Sequence, residues 1–186
     1  MRDTHNRKVY IISIDGLKYI WKYTKEISAG ELHKFCKTNP HINHKGVIDI
    51  VGIMDINGLD GILMPYIENG NIKNYNKTVI LRLIDVVAFL DTRGFYTVPD
   101  LSNILVDSGG YPYIINYYSD TILKSRSQKE MKINLLITII SLKFKINESK
   151  VMNNIDKIRL PDRILNFMNN KCTLEYHHIT DWIQDL

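Results

Sequence analysis

Two asparagines 13 positions apart, Asn103 and Asn116, bracket two apolar runs, Ile104–Val106 and Tyr113–Ile115, joined through Ser108-Gly109-Gly110. A side-chain amide has donors and an acceptor but no charge, so such residues complete a cation's shell or, more commonly, brace a loop. Val98, five positions before Asn103, has no basic atom at all. The remaining reactive residues are scattered. Cys36 and Cys172 lie far apart and read as small core residues in a reducing compartment. His33, His41 and His44 near Cys36 invite a zinc site, but no paired-ligand spacing repeats. Ser125 and Ser127, in the polar stretch 124–130, are phosphorylatable hydroxyls in what reads as a solvated loop.

The elements that position these residues follow from periodicity. Val9–Ile14 is a β-rich run stopped by Asp15-Gly16, and Leu17–Thr24 is ambiguous between strand and helix. Ser28 followed by Glu31 has the spacing of a capping box and opens a short helix with Leu32, Phe35 and Cys36 on its apolar face. Val47–Ile56 and Gly61–Ile67 flank Asn57-Gly58, a hairpin turn signal. Leu81, Ile84, Val87 and Leu90 recur at helical spacing and predict a long helix over 78–92. Two short strands follow around the glycine turn. The chain then becomes helical over 131–144, over 163–169 from the start signal Pro161-Asp162, and over 178–186.

With 186 residues, 45% hydrophobic and 24% charged, the composition is that of one soluble globular domain. A net charge of +4, spread among carboxylates, argues against a nucleic-acid partner. The polar N-terminus lacks a signal peptide's apolar stretch, and the longest apolar run, 133–142, is too short for a bilayer. The expected location is the cytoplasm, with no membrane partner. Eleven tyrosines and abundant Ile, Asn and Lys fit an AT-rich genome.

This order of elements resembles a protein kinase. Gly61–Gly70 looks like the strand and hinge of that family, with Met64 at the gatekeeper and Pro65 removing a hinge N–H. The run Tyr96–Asp107 looks like its H-R-D-L-x-x-x-N loop and strand, anchored on Asn103–Val106, with Tyr96, Thr97 and Val98 at the His, Arg and Asp. Asn116-Tyr117-Tyr118 stands at D-F-G, at the family's own interval from Asn103. Val9–Ser13 looks like the V-A-I-K strand, with Ser13 at the lysine and Glu31 18 positions on as the helix glutamate. A second register places Lys22 at the lysine, nine positions before Glu31; Ser13 is preferred. The resemblance implies an α+β, two-lobe protein kinase-like fold with a truncated N-lobe and a mainly helical C-lobe. It would be one domain over 1–186, with 1–67 as reduced N-lobe and hinge and 68–186 as C-lobe.

It also implies lost catalysis. Ser13, Val98 and Asn116 are degenerate where phosphoryl transfer needs a lysine, a proton-accepting Asp and a metal-binding Asp, and no glycine-rich loop is expected. Of the metal set only Asn103 remains, and bracing its loop is its expected role. No cofactor or metal is expected, and no catalytic residue. Tyr117 and Tyr118 read as filling of the emptied nucleotide cleft or as a partner contact. No A-P-E motif follows, and Tyr176 aligns with the buried Arg that normally pairs with its Glu, so that buried ion pair is expected to be absent as a unit. At subfamily level the chain looks like truncated viral homologues of the mixed lineage kinase domain-like pseudokinase, which keep the pseudokinase body without the four-helix killing domain. That likeness implies a decoy binding a host protein kinase, receptor-interacting protein kinase 3, and blocking necroptosis, through contact residues the sequence does not identify. A mimic inhibiting an antiviral translation-regulating kinase and a residual nucleotide-binding module are the alternatives.

Overall fold

The computed structural model describes residues 7–39, 42–68, 70–124 and 126–185. Residues 1–6, His41 and Ser125 lie outside them, so the polar N-terminus and that serine are not placed. The fold is mixed α+β: a four-stranded antiparallel sheet followed by a mostly helical remainder.

β1 (Arg7–Ile14) and β2 (Leu17–Thr24) form a hairpin closed by Asp15 and Gly16, both at positive φ. The ambiguous run 17–24 is therefore a strand, selected by its register: Tyr10 opposite Trp21 stacks the two rings 5.3 Å apart. After β2 comes α1 (Ala29–Thr38), opened by the Ser28–Glu31 capping box. Leu32 and Phe35 are its buried residues. β3 (Gly52–Ile56) and β4 (Leu59–Pro65) form the second hairpin. Asn57 (φ 56°) and Gly58 (φ 77°) make its turn, as two residues that tolerate the left-handed region do. The sheet order β1-β2-β4-β3 puts β4 in the centre beside β2. Only 52–56 of the expected run 47–56 is strand; Val47 instead bridges Ile114.

On the sheet's outer face, Trp21 lies across Gly61, fully buried, with its indole N–H donated to the Met54 carbonyl at 2.7 Å. A Cβ at Gly61 would sit 2.4 Å from the indole ring.

α2 (Lys77–Thr92) is the axis of the helical half, burying Val79, Ile80, Leu83, Ile84, Val86, Val87 and Leu90. The ribbon β5 (Ile104–Val106) and β6 (Pro112–Ile114) follows, then α3 (Tyr117–Leu123). α4 (Gln128–Phe144) is buried nearly all round, which is why its apolar residues show no stripe. Ser127 and Glu130 cap it with a second capping box. α5 (Glu148–Val151) runs into a 3₁₀ turn over Met152–Lys157; α6 (Asp162–Met168) and α7 (Tyr176–Gln184) complete the fold. α7 packs on α2 through a face that buries Ile179, Trp182 and Ile183. One contiguous apolar cluster runs from Ile27 and Ile62 beside the sheet to Ile183. Among the described residues no helix is long and apolar enough to cross a membrane.

A buried cation meets Tyr176: Lys132 on α4, 5% exposed, holds its Nζ 4.8 Å from the Tyr176 ring centroid. That ammonium donates to the Leu174 carbonyl at 2.9 Å and lies 3.8 Å from the Glu175 carboxylate. A buried charge without such partners would be strongly destabilising.

Gly61→Ala is expected to displace Trp21 and destabilise the chain by about 1–3 kcal/mol, the usual cost of overpacking. Urea denaturation followed by circular dichroism measures this; an unchanged midpoint would mean the ring yields freely.

Candidate functional site

The loop 96–103 enters the interior and must satisfy its backbone polar groups there. Three elements supply the partners. From α3, the Asp120 carboxylate accepts from the buried Thr97 hydroxyl at 2.9 Å and from Val98 N–H at 3.3 Å. From α5, Glu148 accepts from Leu101 N–H at 3.2 Å. From α4, Thr138 Oγ1 shares its proton between the Pro99 carbonyl at 2.8 Å and Glu148 at 2.7 Å. Within the loop, Asp100 Oδ1 accepts from the N–H groups of Ser102 and Asn103, each at 2.9 Å. The loop's shape is thus dictated from both sides.

Asn103 and Asn116 come together at the end of this loop. Asn103 Nδ2 donates to the Val98 carbonyl at 3.1 Å, and Asn103 Oδ1 accepts from Asn116 Nδ2 at 2.5 Å. Ile115 N–H donates to the Asn103 carbonyl at 2.9 Å, so side chain and main chain fasten the same two segments. Asn116 sits at φ 71°, a conformation Asn tolerates, where the chain leaves β6 for α3. Asn116 Oδ1 accepts from the ammonium of Lys22 on β2. The polarity runs one way, from Lys22 through the two amides to the Val98 carbonyl.

Lys22, and not Ser13, is the residue that meets the Asn116 amide. Ser13 is exposed on β1, paired in register with Lys18, and does not reach Asn116; Lys22 does. Two β-rich runs separated by a two-residue turn offered two registers, and the spacing to Glu31 favoured Ser13. That spacing carries no constraint, because exposed Glu31 turns back to its own cap: bonds from Ser28 hold its carboxyl below the usual glutamate range. Val98 lies in the loop as expected, with its N–H and carbonyl both engaged.

Tyr117 and Tyr118 are 2% and 1% exposed, but Tyr117 packs behind the site against Phe35 and Phe95, ring centroids 6.3 and 5.9 Å away. Burial pushes the Tyr117 hydroxyl far above the ordinary tyrosine range. The cleft between β2 and the loop is left as a cavity of about 260 Å³, walled by Val9, Ile20, Met64, Leu105 and Ile115, with Lys22 and Asn116 also lining it. At its rim Tyr66 N–H donates to the Lys18 carbonyl at 3.1 Å.

Asp120 is the charged group that sequence reasoning passed over, and Lys22 entered only as the second register. Asp120 stood in a stretch without apolar periodicity, so nothing marked it as facing a loop. Elsewhere, burial raises the Cys36 thiol, which disfavours a nucleophilic thiolate. Among the described residues no group of three or more His, Cys, Asp or Glu could hold a metal ion. Chemically, the site offers one ammonium, two neutral amides and an apolar slot. No protein-family model matches the chain, and no curated protein matches it.

Asp120→Ala leaves the buried Thr97 hydroxyl without its carboxylate acceptor, and the expected loss is about 1–3 kcal/mol. Equilibrium denaturation reads this, and amide exchange at Val98 should accelerate; wild-type values for both would mean the loop is held by Glu148 and Thr138 alone.

Proposed function

We propose that this chain is a catalytically inactive, protein kinase-like body that acts by binding a host protein kinase as a decoy. The observation that carries the reading is the relay Lys22–Asn116–Asn103–Val98. Phosphoryl transfer by a kinase relies on a strand lysine, Mg²⁺ held by an Asp and an Asn, and an Asp that takes the hydroxyl proton. Lys22 occupies the strand just before α1, where the resemblance has the lysine, and Asn103 keeps the metal-side amide. The two carboxylates of the scheme are replaced by Asn116 and Val98.

The replacement matters through geometry as well as charge. Mg²⁺ is a hard cation that favours oxygen ligands, carboxylates above all. Here Asn116 Oδ1 faces an ammonium and Asn103 Oδ1 faces amide protons, so each oxygen a metal would need already serves a donor. Asn103 accordingly braces the loop.

A body of this kind works through affinity and abundance. Receptor-interacting protein kinase 3 is the proposed partner, because the chain resembles the truncated homologues that keep a pseudokinase body. The short segment between Asn116 and α4 supports the same reading: it holds α3, and Ser127 is engaged in capping α4. Bound kinase is withdrawn from the free pool by mass action.

Two measurements test this. Millimolar ATP with Mg²⁺ is expected to leave the melting temperature unchanged; a shift of several degrees abolished by EDTA would contradict the metal argument. Expression in cells driven into necroptosis is expected to protect them and to recover receptor-interacting protein kinase 3 on the protein. Death at the normal rate with no kinase recovered would end the decoy reading, whereas recovery of an antiviral translation-regulating kinase would reassign its partner.

A further inference from the structure

We infer that the outer edge of β1 is a dimerisation surface, on which a second copy of this chain adds its own β1 antiparallel. The inference is independent of the decoy reading. β1 ends the sheet on one side and runs eight residues in unbroken register with β2. The two-residue turn at Asp15 and Gly16 makes Ile14 and Leu17 a hydrogen-bonded pair. By alternation, the main-chain groups of Lys8, Tyr10, Ile12 and Ile14 face β2. The far side of β2 agrees, since its Lys18 carbonyl accepts from Tyr66 N–H beyond the end of β4. The N–H and C=O groups of Val9, Ile11 and Ser13 therefore point out of the sheet. Among the described residues no hydrogen bond reaches them.

Sheet edges are ordinarily guarded by shortness, proline, a bulge or a charge in mid-strand. β3, at the opposite edge, is short and carries the exposed Asp55. From Val9 to Ile14, β1 has no such guard, and Ile11 and Val9 are 60% and 37% exposed. The helices leave this edge open: α1 packs on β3 and β4, whereas β1 packs chiefly on β2. One register serves the outward groups symmetrically. A two-fold axis through Ile11, perpendicular to the sheet, pairs Ile11 with its own copy and Val9 with Ser13 of the second copy. Each outward N–H then meets an outward C=O, and exposed Ile11 packs on its equivalent. Charge selects the same direction. The basic start of each strand, residues 7 and 8, comes beside Asp15 of the other copy; parallel pairing would bring the two basic starts together.

Sedimentation of the full chain from roughly 1 to 500 µM is expected to show a reversible monomer–dimer equilibrium, as a small interface gives. Ile11→Lys sets two like charges on the axis and should weaken the dimer about tenfold or more. Val51→Lys, at a comparably exposed apolar residue (56%) beside the opposite edge, should leave it unchanged. Amide hydrogen exchange of the wild-type protein reads the edge without any variant. Exchange at Val9, Ile11 and Ser13 should slow as protein concentration rises, while Tyr10 and Ile12, already bonded to β2, should change little. A chain that stays monomeric throughout, a dimer weakened by Val51→Lys but not by Ile11→Lys, or exchange at Val9, Ile11 and Ser13 that ignores concentration would each overturn the assignment.

Discussion

A loop that passes through a protein interior carries its peptide groups with it, and each must find a partner or cost the fold its desolvation energy. The segment 96–103 meets that demand by drawing on α3, α4 and α5 together. Asp120 holds Thr97 and Val98, while Glu148 and Thr138 hold Leu101 and Pro99. These helices come late in the chain, so the shape of the loop depends on the whole helical half having assembled. The cleft depends in turn on the loop, because Asn103 at its end positions Asn116, and Asn116 accepts from Lys22 on β2 of the sheet.

That dependence lets two neutral amides tie the loop to the sheet. An ammonium facing an amide oxygen is satisfied as a donor, and the amide passes the same polarity on to Asn103 and the Val98 carbonyl. No charge has to be neutralised at the far end. Lys132 solves the opposite problem: its ammonium is buried, and it takes a carbonyl, a nearby carboxylate and an aromatic face to make that tolerable. The two lysines show the same group in two roles, one lining a cavity and one locking α4 to the start of α7.

Much of the secondary structure was legible because it rests on local physics. Asn57-Gly58 specified its hairpin, Ser28 and Glu31 their helix start, and the apolar spacing of 81–90 the long α2. The misreadings share a cause: they hang on distant contacts. Ser13 and Lys22 both sit in β-rich runs, and only pairing of β2 with the central β4 reveals which one faces the cleft. α3 carries no apolar stripe and no side-chain cap, so its existence and the placement of Asp120 are tertiary facts. Ser127 and Glu130 did offer a local signal, the same capping spacing as Ser28 and Glu31, in a stretch read as solvated loop. Tyr117 and Tyr118 were read as filling of the cleft or as a partner contact; both are buried, Tyr117 against Phe35 and Phe95 and Tyr118 with its ring 5.6 Å from the Lys22 ammonium.

The chain contains two tryptophans, and the fold separates them cleanly. Trp21 is sealed against the outer face of the sheet, and Trp182 lies in the face of α7 that meets α2. The indole of Trp21 is hydrogen-bonded to a strand carbonyl and stacked on Tyr10, so its emission reports whether the two hairpins remain joined. Trp182 reports on the helical half. The molecule therefore carries an optical label in each layer, and variants retaining one indole at a time would reveal whether sheet and helices melt as one cooperative unit or in succession.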